Sequence, residues 1–216
     1  MFNFLKNKLC PPPPKRKFKT TNERCFLDIK FTGYGDNPAL ISLGINSDSN
    51  HKFYAEFTDY DKSNVSTYIK DNVLKHLFLS GYSDNSVNFT AHQKSTHIRG
   101  NREYIKEHLL KWIRQFDYVV FWGDNIAYKW ILLQNLIAEY GSGYPQMPPT
   151  IAKTPHDIVT LFNLLSLDIN TNRDKFVSTM ENSSGFANGN AIYDAMVTRL
   201  CYDKLMRIMN GVENVT

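Results

Sequence analysis

Three short runs near the start of the chain are apolar in the way strands are. FLDIKFTG (26–33), ALISLGIN (39–46) and HKFYAEFTDY (51–60) are separated by Gly-Asp-Asn-Pro and by the polar stretch 47–50. Connections that short predict an antiparallel meander. The period then changes. VSTYIKDNVLKHLFL (65–79) and REYIKEHLLKWIRQF (102–116) place apolar residues three and four apart, as helices buried along one face do. YVVFWG (118–123) predicts a buried strand, 126–140 a helix closed by Gly141 and Gly143, and 156–168 another helix. The polar stretch 170–188 predicts loop, and AIYDAMVTRLCYDKLMRIM (191–209) a closing helix that turns Ile192, Met196, Leu200 and Leu205 to the core. The pattern predicts one α/β domain over residues 25–210. Its mixed central sheet would hold the three-strand antiparallel meander plus further strands, flanked by helices, with a short tail at 211–216.

Composition narrows the partners. A chain of 216 residues with 42% hydrophobic residues can bury a full core. Its formal net charge is only +4, so affinity for a polyanion has to come from local patches. Cys10, Cys25 and Cys201 have neither disulfide-like nor metal-like spacing, which predicts a reducing, cytoplasmic setting. No apolar run approaches the roughly 18 residues of a spanning helix, so no membrane is expected. Residues 1–24 are the compositional exception: prolines fill 11–14, and Lys15, Arg16, Lys17 and Lys19 follow. They predict a disordered tail with an extended spacer. The rival reading is a basic arm that touches nucleic acid, an anionic surface or a protein partner.

Several residues invite chemistry without committing to it. His156, beside Asp157, precedes a helix and reads first as a cap or surface residue. His92 and His97, in AHQKSTHIRG, are expected on a solvent-exposed loop, since a five-residue spacing with no nearby Cys makes a poor metal signature. Lys94, Arg99 and Arg102 make this region basic enough for a phosphate contact. Phe121, Trp122, Tyr128 and Trp130 read as core aromatics, some of them free to stack on a base.

Three blocks, in order, resemble a known family. FLDIKFTG resembles F-x-D-x-E-F-T-G, WGDNIAYKW resembles W-G-N-x-x-x-F-D, and GNAIYDA resembles H-N-A-L-x-D-A. These are motifs of the DEDDh 3′-5′ exonucleases of the ribonuclease H-like fold, and FYAEFTDY suits the third strand of their bacterial and phage exoribonuclease-like branch. The resemblance spans residues 26–209. It implies four carboxylates holding two Mg²⁺ or Mn²⁺ ions that activate water, and a histidine as general base. It also implies a source in a bacterium, phage or mobile element.

Mapped position by position, the apparatus is degenerate. Asp28 falls on the first carboxylate and Asp194 on the last, but Lys30 and Lys129 stand where the other two belong, and Gly189 replaces the histidine. Asp124 falls on a motif Asn that binds no metal. The four site charges therefore sum to zero rather than to about minus four. Two like unit charges 4 Å apart repel by about 4 kcal/mol at an effective dielectric near 20, and a divalent ion doubles that. A protonated lysine has no lone pair to offer in exchange. The expectation is that Lys30 and Lys129 pair with Asp28 and Asp194 in place of ions, against the plainer alternative of a solvated Lys30. No cofactor is then expected, and Mg²⁺ or Mn²⁺ on Asp28 and Asp194 only if activity persists.

Three functions follow as expectations. The first is a pseudo-nuclease that binds single-stranded RNA, DNA or a nucleotide through Lys30, Lys129, Trp122, Tyr128, Arg99 and Arg102. The second is a protein-interaction or inhibitor module on the same scaffold. The third is residual metal-dependent 3′-5′ exonuclease activity. The family resemblance adds a homodimer to the partners.

Overall fold

The computed structural model describes residues 22–34, 37–92, 94–140, 145–177 and 189–213. Cys10, the 11–14 proline run, the 15–19 basic cluster, Gly141, Gly143 and most of 170–188 lie outside those residues. The meander is present as β1 (Asn22–Phe31), β2 (Leu40–Ser47) and β3 (Lys52–Phe57). β1 pairs antiparallel with β2, and β2 with β3. β1 begins at Asn22, so residues that composition assigned to the tail are strand. They are recruited by parallel pairing with β6 (Tyr118–Gly123), from Asn22 opposite Tyr118 to Phe26 opposite Trp122.

The sheet has seven strands in the order β4-β5-β3-β2-β1-β6-β9, with β4 (Ser86–Thr90), β5 (Ser95–Gly100) and β9 (His156–Asp157) added to the meander and β6. β5 runs parallel to β3, and β6 and β9 run parallel to β1 and β6 respectively, so the sheet is mixed. A small separate ribbon pairs β7 (Glu139–Tyr140) with β8 (Pro145–Gln146). The helices are α1 (Thr67–Asn72), α2 (Arg102–Ile113), α3 (Ile126–Ile137), α4 (Ile158–Leu164), α5 (Arg173–Phe176) and α6 (Ala191–Met209).

Alternation along the strands divides the core. Cys25, Leu27 and Ile29 join Ile98, Phe121 and the buried faces of α2 and α3 on one side of the sheet. Phe26 turns the other way, to Ile158 and Phe162 of α4 and to Cys201, Tyr202 and Leu205 of α6. Asp28 and Lys30 share that second face. The α6 helix can lie on it because β2 offers Gly44 beneath the helix N-terminus. A Cβ at Gly44 would sit 2.3 Å from the Ala191 carbonyl carbon. Gly44 is also the register partner of Asp28, so the first turn of α6 is delivered directly above the acidic end of β1.

Two sequence expectations give way. Residues 65–79 do not make one helix: α1 stops at Asn72, and a 3-10 turn follows at Leu74–His76. Glu56, buried on β3, accepts from the backbone N–H groups of Phe78 (2.7 Å) and Leu79 (3.0 Å), which an uninterrupted helix would have turned inward. His97 is not on a loop. It lies half-buried on β5, edge-on to Tyr54 and Phe78, and burial beside Lys52 pulls its imidazole below the usual range. His92 is exposed, as expected.

Candidate functional site

Three segments far apart in sequence meet at the end of β1. β1 supplies Asp28 and Lys30, α6 supplies Asp194 from its first turn, and α3 supplies Lys129. Each helix start is fixed by a side chain. Asn190 caps α6 by accepting from Ile192 N at 3.0 Å. Asp157 accepts from Asn125 N and Ile126 N at 3.1 and 3.0 Å, anchoring the start of α3 against β9, and Asn125 takes the left-handed conformation that the tight entry requires.

Asp28 is buried, and each of its oxygens meets one ammonium. Lys129 Nζ lies 2.6 Å from Oδ1 and Lys30 Nζ 2.9 Å from Oδ2. The second contact is an ion pair whose alignment falls short of a directed hydrogen bond. Lys30 also donates to Asp194 Oδ2, so one ammonium bridges the two carboxylates. Lys129 completes its set on the Asp124 carbonyl at 2.8 Å. Burial alone would push the Asp28 carboxyl up, but the Lys129 and Lys30 ammonium groups outweigh it and hold Asp28 below the usual range. Lys30 moves above its usual range, against its own burial, because Asp28 and Asp194 flank it. Asp194 goes up: burial leads, the Asp28 charge adds to it, and Lys30 offsets only part. Asp194 is therefore the carboxylate of this pair that takes a proton first on acidification.

These groups open on a cleft of about 230 Å³. Its far wall comes from α5, where Arg173 forks onto both oxygens of Asp124 at 3.0 Å and lies over the Phe162 ring. Tyr193 of α6 donates to Asp174 at 2.6 Å, tying α5 to the helix that carries Asp194. Asp124 is thus the partner of Arg173 and, through its carbonyl, of Lys129. Arg173, Asp174 and Tyr193 were not legible as site residues, since two of them sit in a polar stretch with no pattern.

This donor set does not fit a pair of divalent cations. Both oxygens of Asp28 and one of Asp194 already face ammonium groups. Among the described residues, no three His, Cys, Asp or Glu side chains gather as metal ligands would. Gly189 does not hold a vacant histidine position either. It has φ +94°, and a Cβ there would lie 2.1 Å from the Asn72 carbonyl oxygen, so the backbone fits against the end of α1 only without a side chain.

The remaining residues singled out from sequence scatter. Tyr128 meets Phe31 and Tyr34 in a three-ring cluster with centroids 5.0–5.3 Å apart, and Tyr34 is 83% exposed. Phe31 follows Lys30 in the chain and Tyr128 precedes Lys129, so the cluster adjoins the ion-pair site. Trp122 does not line the cleft; it is stacked on His156 with ring centroids 4.7 Å apart and lies edge-on to Tyr202. His156 is exposed, and Asp157, not His156, caps α4. Arg99 and Arg102 are absent from the cleft. Arg99 pairs with Asp84 and Arg102 donates to the Asn135 carbonyl. Phe121 and Trp130 are core.

No helix among the described residues is long and apolar enough to cross a membrane. No protein-family model matches the chain, and no curated protein matches it.

Proposed function

We propose that the chain is a catalytically degenerate DEDDh-type exonuclease domain that binds single-stranded nucleic acid, or a nucleotide, without two-metal hydrolysis. The observation that carries this reading is the Lys30 ammonium lying between Asp28 and Asp194. The resemblance places two metal-binding carboxylates there, and this chain neutralises them from within. The antiparallel meander in a mixed sheet with helices on both faces supports the fold half of the reading, being what a ribonuclease H-like domain requires.

Binding would use what the ion pairs leave over. Lys30 and Lys129 line the cleft beside their carboxylate partners, where an ammonium, with three N–H groups, can also meet a phosphate oxygen. Arg173, held by Asp124, adds little free charge, so phosphate attraction is modest and the exposed Tyr34–Tyr128–Phe31 rings supply stacking for a base. Of the residues proposed from sequence for this role, Lys30, Lys129 and Tyr128 stay in the reading. Trp122, Arg99 and Arg102 leave it.

Fluorescence anisotropy with short labelled RNA and DNA single strands, in EDTA, tests the proposal. The expected result is binding that weakens with salt and weakens further in Tyr34→Ala and Tyr128→Ala. Absence of salt-dependent binding to either polymer overturns it. Stepwise shortening of end-labelled strands in Mn²⁺ would replace it with residual exonuclease activity.

A further inference from the structure

The first turn of α6 carries Asp194 to the cleft, and something has to stop that turn in the right place. Gly44 sets its height above β2, because any Cβ there would meet the Ala191 backbone. Asn190 supplies the remaining anchors. Its Oδ1 caps the helix, and its Nδ2 donates outward to the Tyr54 hydroxyl at 3.1 Å and to the His76 carbonyl at 2.7 Å. Tyr54 in turn donates to Glu56 Oε1 at 2.8 Å, the oxygen that also accepts from the Phe78 and Leu79 backbone. Tyr54, Glu56 and Asn190 are all buried. A phenol can donate or accept, and Glu56 decides which: an ionised carboxylate only accepts, so the Tyr54 oxygen is left facing Asn190 as an acceptor. Burial, and then the Glu56 charge, push the Tyr54 hydroxyl well above its usual range, which keeps its proton in place. Arg99, the register neighbour of Glu56, is paired with Asp84 instead. A buried carboxylate costs free energy that an apolar side chain at position 56 would not, so stability alone does not account for the network.

We infer that Asn190, held by Tyr54 and Glu56, is the positioning residue of the ion-pair cleft: it sets the first turn of α6 so that Asp194 meets Lys30. The Asp194 N–H donates to the Asn190 carbonyl at 3.0 Å, so the backbone that carries the carboxylate starts from the anchored residue. The network also lies on the same floor as the bridge. Lys30 is the register partner of Ser42, and Ser42 of Glu56, so Lys30 and Glu56 share one face of the sheet two strands apart. What the positioning serves rests on the binding reading above; the positioning itself does not.

Exchange of the Lys30 ammonium protons reads the bridge directly. It is followed by NMR on the full chain with isotope-labelled lysine, the signal being assigned by its loss in Lys30→Met. Asn190→Ser keeps a capping oxygen but removes both outward donations. Tyr54→Phe keeps the ring that stacks on Phe78 and removes only the hydroxyl. Each should speed Lys30 exchange about ten-fold, the extra opening that follows from losing a buried hydrogen bond. Ile113→Val, a core truncation on the other side of the sheet, should leave that exchange unchanged. Unchanged exchange in either network variant would mean a plain helix cap, and equal acceleration in Ile113→Val a general loss of stability; each overturns the inference. These readings need no nucleic acid, so a chain that binds no strand removes the binding proposal and not this one.

Discussion

Replacing Lys30 by methionine keeps the length of the side chain and removes the cation that bridges Asp28 and Asp194. At 2.9 Å and an effective dielectric near 20, the Lys30–Asp28 attraction is about 6 kcal/mol before desolvation is counted. Desolvating the ammonium offsets part of that, but the variant leaves a buried carboxylate short of one partner, and such losses cost about 3–5 kcal/mol. The low end applies, because Lys129 still holds Asp28 at 2.6 Å and the Lys30 side chain keeps 18% of its surface in water. A loss of about 3 kcal/mol corresponds to a fall in Tm of about 6–12 °C for a chain of this size. Urea denaturation followed by tryptophan fluorescence measures it. The pH dependence fixes the cause. The depressed Asp28 pKa gives stability that is present above its unfolded value, about 3.9, and is lost as pH falls through the folded one. The raised Lys30 pKa gives stability that is full below about 10.4 and is lost only as pH rises through the folded value. Between about pH 8 and pH 5 both contributions persist in the parent, while in Lys30→Met the two carboxylates can relieve their repulsion by taking a proton. The deficit should therefore shrink as pH falls across that window. A deficit under about 0.5 kcal/mol, or one that grows on acidification, would mean that Lys30 is an ordinary solvated lysine.

Lys30→Glu with Lys129→Asp should build a four-carboxylate site that is unstable alone and rescued by Mn²⁺, by about 2.7 kcal/mol at a hundredfold excess over Kd; an Mn²⁺-indifferent melting curve refutes the mapping onto a metal site. No histidine is added at Gly189, because its Cβ would strike the end of α1. Gly44→Ala should cost about 1–3 kcal/mol or more by lifting α6 off β2, since the colliding atoms are backbone; an unchanged urea midpoint would show that α6 does not lie that close. The Cys201 thiol is pushed up to about 12 by burial, and Cys25 is raised well above its usual range for the same reason. Peptide mapping after alkylation at neutral pH should find both unmodified until the chain unfolds, and rapid native labelling of either would contradict their placement.

The parts of the fold written in dense apolar patterns were legible. β6 and α6 begin and end where YVVFWG and AIYDAMVTRLCYDKLMRIM do, because every turn of each contributes to one buried face. What sequence missed depends on neighbours. The β4–β5 hairpin is mostly polar, and its strands exist because β3 offers a free edge to Ser95–Gly100, so AHQKSTHIRG reads as loop without that partner. The break after α1 goes with Glu56, on another strand, accepting from the Phe78 and Leu79 backbone, a partner the local sequence does not show. At the site, the motifs of the family resemblance named Asp28, Lys30, Lys129 and Asp194. It could not supply Arg173, whose role comes from a fork onto Asp124 across 49 residues, nor Tyr34, whose two ring partners come from β1 and α3.

The bridge from Lys30 to Asp194 joins the first strand to the last helix, across 164 residues. During synthesis the sheet can assemble while α6 is still inside the ribosome, with the floor at Gly44 open to water and Lys30 answering Asp28 alone. Closure waits for residues 191–209, so a chain cut short before residue 191 leaves α6, the longest helix among the described residues, unmade and the acidic tip of β1 uncovered.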